Sequence, residues 1–352
     1  ADIDSLRPAF EGIDVVLNGD FDWGGNMSTN LSFAYSYNKV EVTDQRLVSG
    51  IQPVSDSVVE DIENNYAFDL DAFDTLVKAS NNPSRLLVIN SPHNPTGQML
   101  DTGFLETLSA YCRENNIFVL SDEIYFLVTY TRQKHQSISS FYPEGSFVLG
   151  GLSKHLSIGG WRLGVAILPD NEMGAQLMSA LQVIASETWS AVSSPLQYAA
   201  ITAYSNDAEL EKYISDCAQI HGLRTRHIYE KLTALGVRCT PPIGAFYMVA
   251  NFDHWKPALK SKDITTSKQL AEHLLEEYAI ASLPADAFGV PETELSLRLS
   301  TSYLDFETDT DASRIYDLYN AGVAPVDFMN EPNHPAIAAA LAAFERFTKS
   351  LG

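Results

Sequence analysis

Two hydrophobic rhythms divide the chain. From Ile13 to Trp23 apolar and polar side chains alternate: Ile13, Val15, Leu17, Phe21 and Trp23 against Asp14, Asn18, Asp20 and Asp22. A polar turn, Gly24 to Asn30, follows. Alternation then resumes with Leu31, Phe33, Tyr35 and Tyr37 against Ser32, Ser36 and Asn38, and fades through Val40 and Val42. A period of two sends successive side chains to opposite faces of a strand, so this stretch predicts a hairpin. Its length and aromatic-rich apolar face suit a strand pair of a transmembrane β-barrel as well as a hairpin of a soluble sheet.

After Asn65 the rhythm changes to alternating helices and strands. Phe68 to Val77 has helical spacing, and Arg85-Leu86-Leu87-Val88-Ile89-Asn90 is a continuous apolar run of the kind buried in parallel sheets. A proline-rich turn at Ser91 to Gly97 leads into an amphipathic helix from about Thr102 to Asn115. The strand Ile117 to Leu120 ends in Ser121-Asp122-Glu123-Ile124-Tyr125. Phe147-Val148-Leu149 and Leu163 to Leu168 predict two more strands around a glycine-containing loop. Repeated units of this length imply an α/β fold, a mostly parallel sheet covered by helices on both faces. A long helical region runs from Pro169 to about Asn206, interrupted near Ser193-Ser194-Pro195, and a further helix covers about Asp207 to Leu235. Short strands at Val237–Cys239, Phe246–Ala250 and Leu295–Ser300 alternate with helices at Thr266–Tyr278, Ala312–Asn320 and His334–Ser350. The expected organisation is a hairpin segment, 1–65, a large domain, 66–211, and a small α/β domain, 212–352.

Composition narrows the function. A formal net charge of −22 and a pI near 4.6 disfavour nucleic acid and anionic membranes as partners, because both would repel the surface. Cys112, Cys217 and Cys239 are widely separated, without metal-ligand spacing, and fit reduced thiols in a cytoplasmic protein. No apolar run reaches transmembrane length, and Ala1-Asp2-Ile3-Asp4 does not read as a signal peptide.

In a sheet of this type the ligand crevice lies beyond the carboxyl ends of the strands. Three polar stretches fall there: Asn94-Pro95-Thr96-Gly97, Asp122-Glu123-Ile124-Tyr125, and the loop from Ser153-Lys154 to Arg162. Taken singly each has a plain reading, as a turn, a helix cap and a solvated lysine. Their shared placement makes them candidates for one site.

Together these stretches resemble the fold-type I pyridoxal-phosphate enzymes, in particular the class I/II aminotransferases, over roughly Tyr66 to Gly352. The resemblance implies the pyridoxal-phosphate transferase fold, its large domain incomplete at the N-terminus, and pyridoxal 5′-phosphate as cofactor. It implies movement of an amino group from an L-amino acid to a 2-oxo acid through a lysine Schiff base. Lys154 resembles the lysine that forms that link, a role only a primary amine can fill. Asp122 resembles the carboxylate that keeps the pyridine nitrogen protonated. Tyr125 and Asn94 match the pair that hydrogen-bonds the cofactor 3′-oxygen. Arg162 with Ser153 resembles the phosphate anchor, and Arg298 the fork that clamps the substrate carboxylate. Asn94 and Tyr247, the latter in Gly244-Ala245-Phe246-Tyr247, match residues that border the substrate. His93 and His155 are read as turn and supporting residues, since lysine already serves as the acid–base group. No HExxH, CxxC, P-loop or Ser/His/Asp order is present.

Residues 12–65 resemble a late barrel segment of a TonB-dependent outer-membrane receptor, on Ala34 to Val42 and Val58 to Asn65. This implies fusion, truncation or an assembly artefact ahead of the enzyme. The aminotransferase resemblance also implies an N-terminal arm, a Gly/Ser-rich phosphate loop and a ring stacked on the cofactor, which 1–65 does not supply. Gly151 stands where relatives carry a hydroxyl. Weak cofactor binding or none, and with it an inactive chain as written, is therefore expected, with a homodimer once those parts are present. Another pyridoxal-phosphate reaction (β-lyase, oxidase or decarboxylase) shares every motif. A receptor fragment would explain only the opening segment.

Overall fold

A computed structural model describes residues 9–22, 28–41, 62–80, 84–131, 134–205 and 207–352. The chain divides into two compact units, Ala1–Pro53 and Val54–Gly352.

The first unit holds an antiparallel hairpin, β1 (Ala9–Asp22) and β2 (Ser28–Glu41). Its register follows the alternation: Ile13 faces Tyr37, Val15 faces Tyr35, Leu17 faces Phe33, and polar Asp14 faces Ser36. Through the middle of the hairpin apolar positions thus pair with apolar ones, whereas Phe21 faces Thr29 and Leu31 faces Gly19. The receptor-like residues from Val42 to Asp61, and the turn at 23–27, lie outside the described residues.

In the second unit a 3-10 turn, Ile62–Asn64, precedes α1 (Leu70–Ala79), β3 (Arg85–Asn90), α2 (Thr102–Glu114), β4 (Ile117–Asp122), β5 (Ser146–Gly151) and β6 (Gly164–Ile167). Then come α3 (Glu172–Thr188), α4 (Ser194–Ala203), α5 (Ala208–Ala234), β7 (Arg238–Cys239) and β8 (Tyr247–Asn251). The remainder is α6 (Lys256–Lys260), α7 (Ser267–Tyr278), β9 (Leu283–Pro284), β10 (Ser296–Ser300), α8 (Asp309–Asn320), α9 (Pro325–Phe328) and α10 (Pro335–Lys349). Capping residues set several starts. Asp69 and Asp101 accept from the backbone N–H of Ala72 and Phe104, and Thr266 forms a reciprocal box with Gln269 at the head of α7.

The first sheet has the order β3-β4-β5-β6, parallel except for the antiparallel edge strand β6. The twelve-residue loop between β5 and β6 is too short for a helical crossover, so the chain turns straight back. Leu87, Ile89 and Val119 pack with Phe73, Val77, Leu105, Leu108 and Cys112 of α1 and α2. The opposite side of β3 is open: Leu86 and Val88 are 56% and 60% exposed. The expectation of helices on both faces therefore holds on one face only among the described residues. The second sheet, β7-β8-β10-β9, is antiparallel. Its core joins Met248, Ala250, Leu297 and Leu299 to α5, α7 and the Phe344 and Phe347 rings of α10.

Residues 62–66 belong to this second unit. Arg238 bonds the Ile62 carbonyl and the Glu63 side chain, and the Tyr66 hydroxyl donates to Glu294. The segment expected to end the hairpin region at residue 65 is thus tied to the sheet edge of the C-terminal half. Among the described residues no helix is long and apolar enough to cross a membrane.

Candidate active site

Parallel pairing aligns three strand ends. Asn90 stands beside Asp122, and Asp122 beside Leu149, so the loops after β3, β4 and β5 leave from one edge. Asn90 stitches two of them together: its Nδ2 donates to the Asp122 carbonyl at 2.8 Å, and its Oδ1 accepts the Asn94 N–H at 2.7 Å. Asp122 accepts the Ile124 N–H on Oδ1 at 3.1 Å, which fixes the carboxylate plane. The neighbouring Glu123 points into the protein, 5% exposed. It accepts from Ser121 and Ser137 at 2.9 and 2.7 Å and meets His135 at 3.0 Å. A buried carboxylate with three polar partners anchors the strand end and so holds the adjacent Asp122 in place.

Four of the sequence candidates meet around Tyr125. Its hydroxyl is 3.0 Å from that of Tyr247, and Lys154 Nζ lies 5.6 Å from its ring centroid. Burial first, and then the Tyr247 hydroxyl, push the Tyr125 phenol above its usual range, so it is a proton donor at neutral pH. Arg298 donates from Nη1 to Asn94 Oδ1 at 3.2 Å. Its guanidinium lies 4.6 Å from the Tyr247 ring centroid and 5.0 Å from that of Phe288. Two rings thus hold it, and Nε is buried without a partner. That leaves a donor edge suited to a carboxylate.

The Asn94 turn depends on glycine. Gly97 has φ +70°, and a Cβ built there would sit 2.4 Å from the Tyr247 carbonyl oxygen. The Gly97 carbonyl in turn accepts the N–H groups of Ile243 and Gly244, both at 3.0 Å. Gly97→Ala combines a left-handed backbone with a backbone clash and is expected to cost about 2–4 kcal/mol in denaturant unfolding. An unchanged midpoint would show that the turn can give way.

The lysine loop is less complete. Arg162 is exposed, with φ +53°, and its Nη1 donates to the carbonyl of Gly159 in its own loop at 3.0 Å. Ser153 packs beside Gly159, 3.7 Å from where a Cβ would stand there. Neither is in hydrogen-bond contact with the Tyr125 cluster. The structure also explains Gly151: a Cβ there would lie 2.9 Å from the Leu163 carbonyl and 3.2 Å from Ile124 Cδ1. No hydroxyl-bearing side chain fits this backbone. His155 is 5% exposed, set edge-on to Phe126, and burial pulls it down to about 4. His93 bonds Thr96 Oγ1 at 2.8 Å within the turn, and burial likewise pulls it down to about 4. Both are neutral packing groups near pH 7. A cleft of about 590 Å³ opens beside Lys154, lined also by His155, His221, Ser302 and Tyr303. Asp122, Tyr125, Asn94 and Arg298 do not line it, so the convergence of donors marks the site better than the cleft does.

The sequence model of the family "Aminotransferase class I and II" matches residues 49–312. The chain belongs to this family. The match begins at residue 49, ahead of the expected boundary at 66. The chain is 34% identical over 265 residues to an aspartate aminotransferase of Bacillus subtilis, covering 74% of this chain and 63% of that protein. It is 33% identical over 273 residues to one of Geobacillus stearothermophilus, covering 76% and 65%. It therefore spans just under two thirds of the length of these relatives. Among solved structures, an aromatic aminotransferase of Pyrococcus horikoshii superposes with TM-score 0.64 at 25% identity, covering 83% of this chain and 66% of that one. A Thermus thermophilus aspartate aminotransferase with maleate gives 0.61 at 26%, covering 81% and 61%. The fold is that of fold-type I aminotransferases.

Members of this family use pyridoxal phosphate. The donor set fits the ring end of that molecule: a carboxylate fixed on one oxygen (Asp122), a protonated phenol (Tyr125), an amide whose Nδ2 remains to donate (Asn94) and a primary amine (Lys154). Ser153 and Arg162, the pair expected at the phosphate end, lie in one loop, with Arg162 bonded to the Gly159 carbonyl. Sequence reasoning missed Phe288, the second ring on Arg298, which follows no periodic pattern in its 3-10 turn, Ala285–Phe288. It also passed over Glu123, whose signal was a charge at the end of an apolar strand.

Proposed function

We propose that the chain is a pyridoxal-phosphate-dependent aminotransferase that moves an amino group from an L-amino acid to a 2-oxo acid. The meeting of Lys154, Tyr125, Asn94 and Arg298 carries this reading, because it joins an amine, a phenol donor and a carboxylate fork within one cluster. When bound, the cofactor supplies an aldehyde and an electron-withdrawing ring. Lys154 would offer the primary amine for that aldehyde and would carry the substrate α-proton. Asp122 holds a proton on the pyridine nitrogen. Tyr125 and Asn94 would donate to the 3′-oxygen, and Ser153 and Arg162 would hold the phosphate. Arg298 orients the substrate through its carboxylate.

The reading includes a large domain, 66–211, and a small one, 212–352, in a cytoplasmic homodimer. The three widely separated cysteines support the location. The half-reaction tests the activity. Donor amino acid alone should bleach the visible band of the cofactor-loaded protein and release one 2-oxo acid per site, then stop. Continuing release of ammonia or carbon dioxide would replace the proposal with a lyase, oxidase or decarboxylase.

A further inference from the structure

We infer that Tyr247 is a positioning residue that couples the cofactor side of the site to the carboxylate side. The inference rests on the aminotransferase reading and gives Tyr247 a role distinct from substrate contact. A buried tyrosine ordinarily needs only some partner for its hydroxyl. Tyr247, 7% exposed, instead uses each of its parts on a different site residue. Its hydroxyl takes Tyr125, its ring face takes Arg298, and its carbonyl oxygen closes over Gly97.

The sheet explains how one residue reaches all three. Arg298 pairs with Val249 and Ser300 with Tyr247 in the β8–β10 ladder. Tyr247 is therefore the diagonal neighbour of Arg298 on the same sheet face, within reach for a large ring. Thr301 holds this corner: its N–H donates to the Phe246 carbonyl at 3.0 Å, and its hydroxyl meets Thr225 of α5 at 2.6 Å. The ring is thus fixed before any ligand arrives.

The hydroxyl pair has a directional consequence. Two hydroxyls 3.0 Å apart share one hydrogen bond, so one donates and the other accepts. In the pair itself either hydroxyl can donate; when an outside acceptor takes the Tyr125 proton, Tyr247 becomes the donor to the Tyr125 oxygen. Removing the Tyr247 hydroxyl makes Tyr125 a weaker and less directed donor to the 3′-oxygen. Removing the ring frees one face of Arg298 instead. The two losses are separable by substitution.

The cofactor-loaded protein and its Tyr247→Phe, Tyr247→Leu, Tyr125→Phe and Tyr125→Phe/Tyr247→Phe variants test this. Two quantities are read: the pH midpoint of the cofactor's visible absorbance, and the Kd of succinate as an unreactive carboxylate. Tyr247→Phe should raise the midpoint by roughly half to one pH unit, the size of one net hydrogen bond, and leave the Kd within about twofold. Tyr247→Leu should also weaken succinate binding about tenfold, through the lost cation–π contact. The double variant should shift the midpoint no further than Tyr125→Phe alone. An unmoved midpoint in Tyr247→Phe, or additive shifts in the double variant, overturns the coupling while the parent band persists. A tyrosine that serves only the core would lower thermal stability and leave both readouts unchanged, which also overturns it. Absence of the band in the parent protein would instead remove the aminotransferase reading, and this inference with it.

Discussion

Lys154→Ala is expected to lower amino transfer by roughly 10⁴-fold and to abolish the visible band formed with saturating pyridoxal phosphate. The argument begins with chemistry and ends with placement. Of the site residues only Lys154 carries a primary amine, so no neighbour can form the link to an aldehyde or return a proton through the same nitrogen. General acid–base catalysis alone contributes about 10²–10⁴-fold, and loss of the covalent route adds to it. The Nζ lies 5.6 Å from the Tyr125 ring centroid, beside the phenol assigned to the 3′-oxygen. Turnover and absorbance at saturating cofactor check the prediction, with affinity recorded separately. A variant that keeps the band places the reactive amine elsewhere.

Arg298→Ala should lower kcat/KM about 10³-fold, the cost of about 4 kcal/mol expected when one member of a buried, hydrogen-bonded charge pair is removed. The geometry makes this side chain hard to replace. Rings of Tyr247 and Phe288 lie 4.6 and 5.0 Å from the guanidinium carbon, Asn94 Oδ1 takes one nitrogen, and Nε remains buried without a partner. Only a flat group can lie against ring faces and still present two parallel N–H bonds. Arg298→Lys keeps the charge but neither the plane nor the fork, so it should recover less than about tenfold of the loss. Initial rates over a range of donor amino acid concentrations measure both variants. Full activity in Arg298→Lys would mean that charge alone suffices and that the clamp is misassigned.

Much of this arrangement could be read from the chain, for identifiable reasons. Continuous apolar runs marked β3 and β4, although burial alternates along both strands, and amphipathic spacing from Thr102 marked α2. Alternation predicted the hairpin, and its register pairs Ile13 with Tyr37, Val15 with Tyr35 and Leu17 with Phe33 among the positions that alternated. Motif residues at strand ends indicated the site because parallel pairing brings such ends to one edge. Other features depend on contacts between distant parts of the chain. Tyr125, in the turn after β4, meets Tyr247 of β8, and Phe288 reaches Arg298 from a single 3-10 turn. The open face of β3 was also invisible, since Leu86 and Val88 belong to the same apolar run as the buried Leu87 and Ile89. Gly151 looked like a missing phosphate contact, whereas the Leu163 carbonyl leaves no space for any side chain.

The central claim, that Lys154 is the residue that joins the cofactor, is open to direct chemical capture. The full chain is incubated with pyridoxal phosphate, reduced with borohydride and mapped by peptide mass spectrometry. The account predicts one pyridoxyl group per chain, on the peptide that contains Lys154 and absent from Lys154→Ala. A pyridoxyl group on another lysine, or none on the Lys154 peptide, would contradict it.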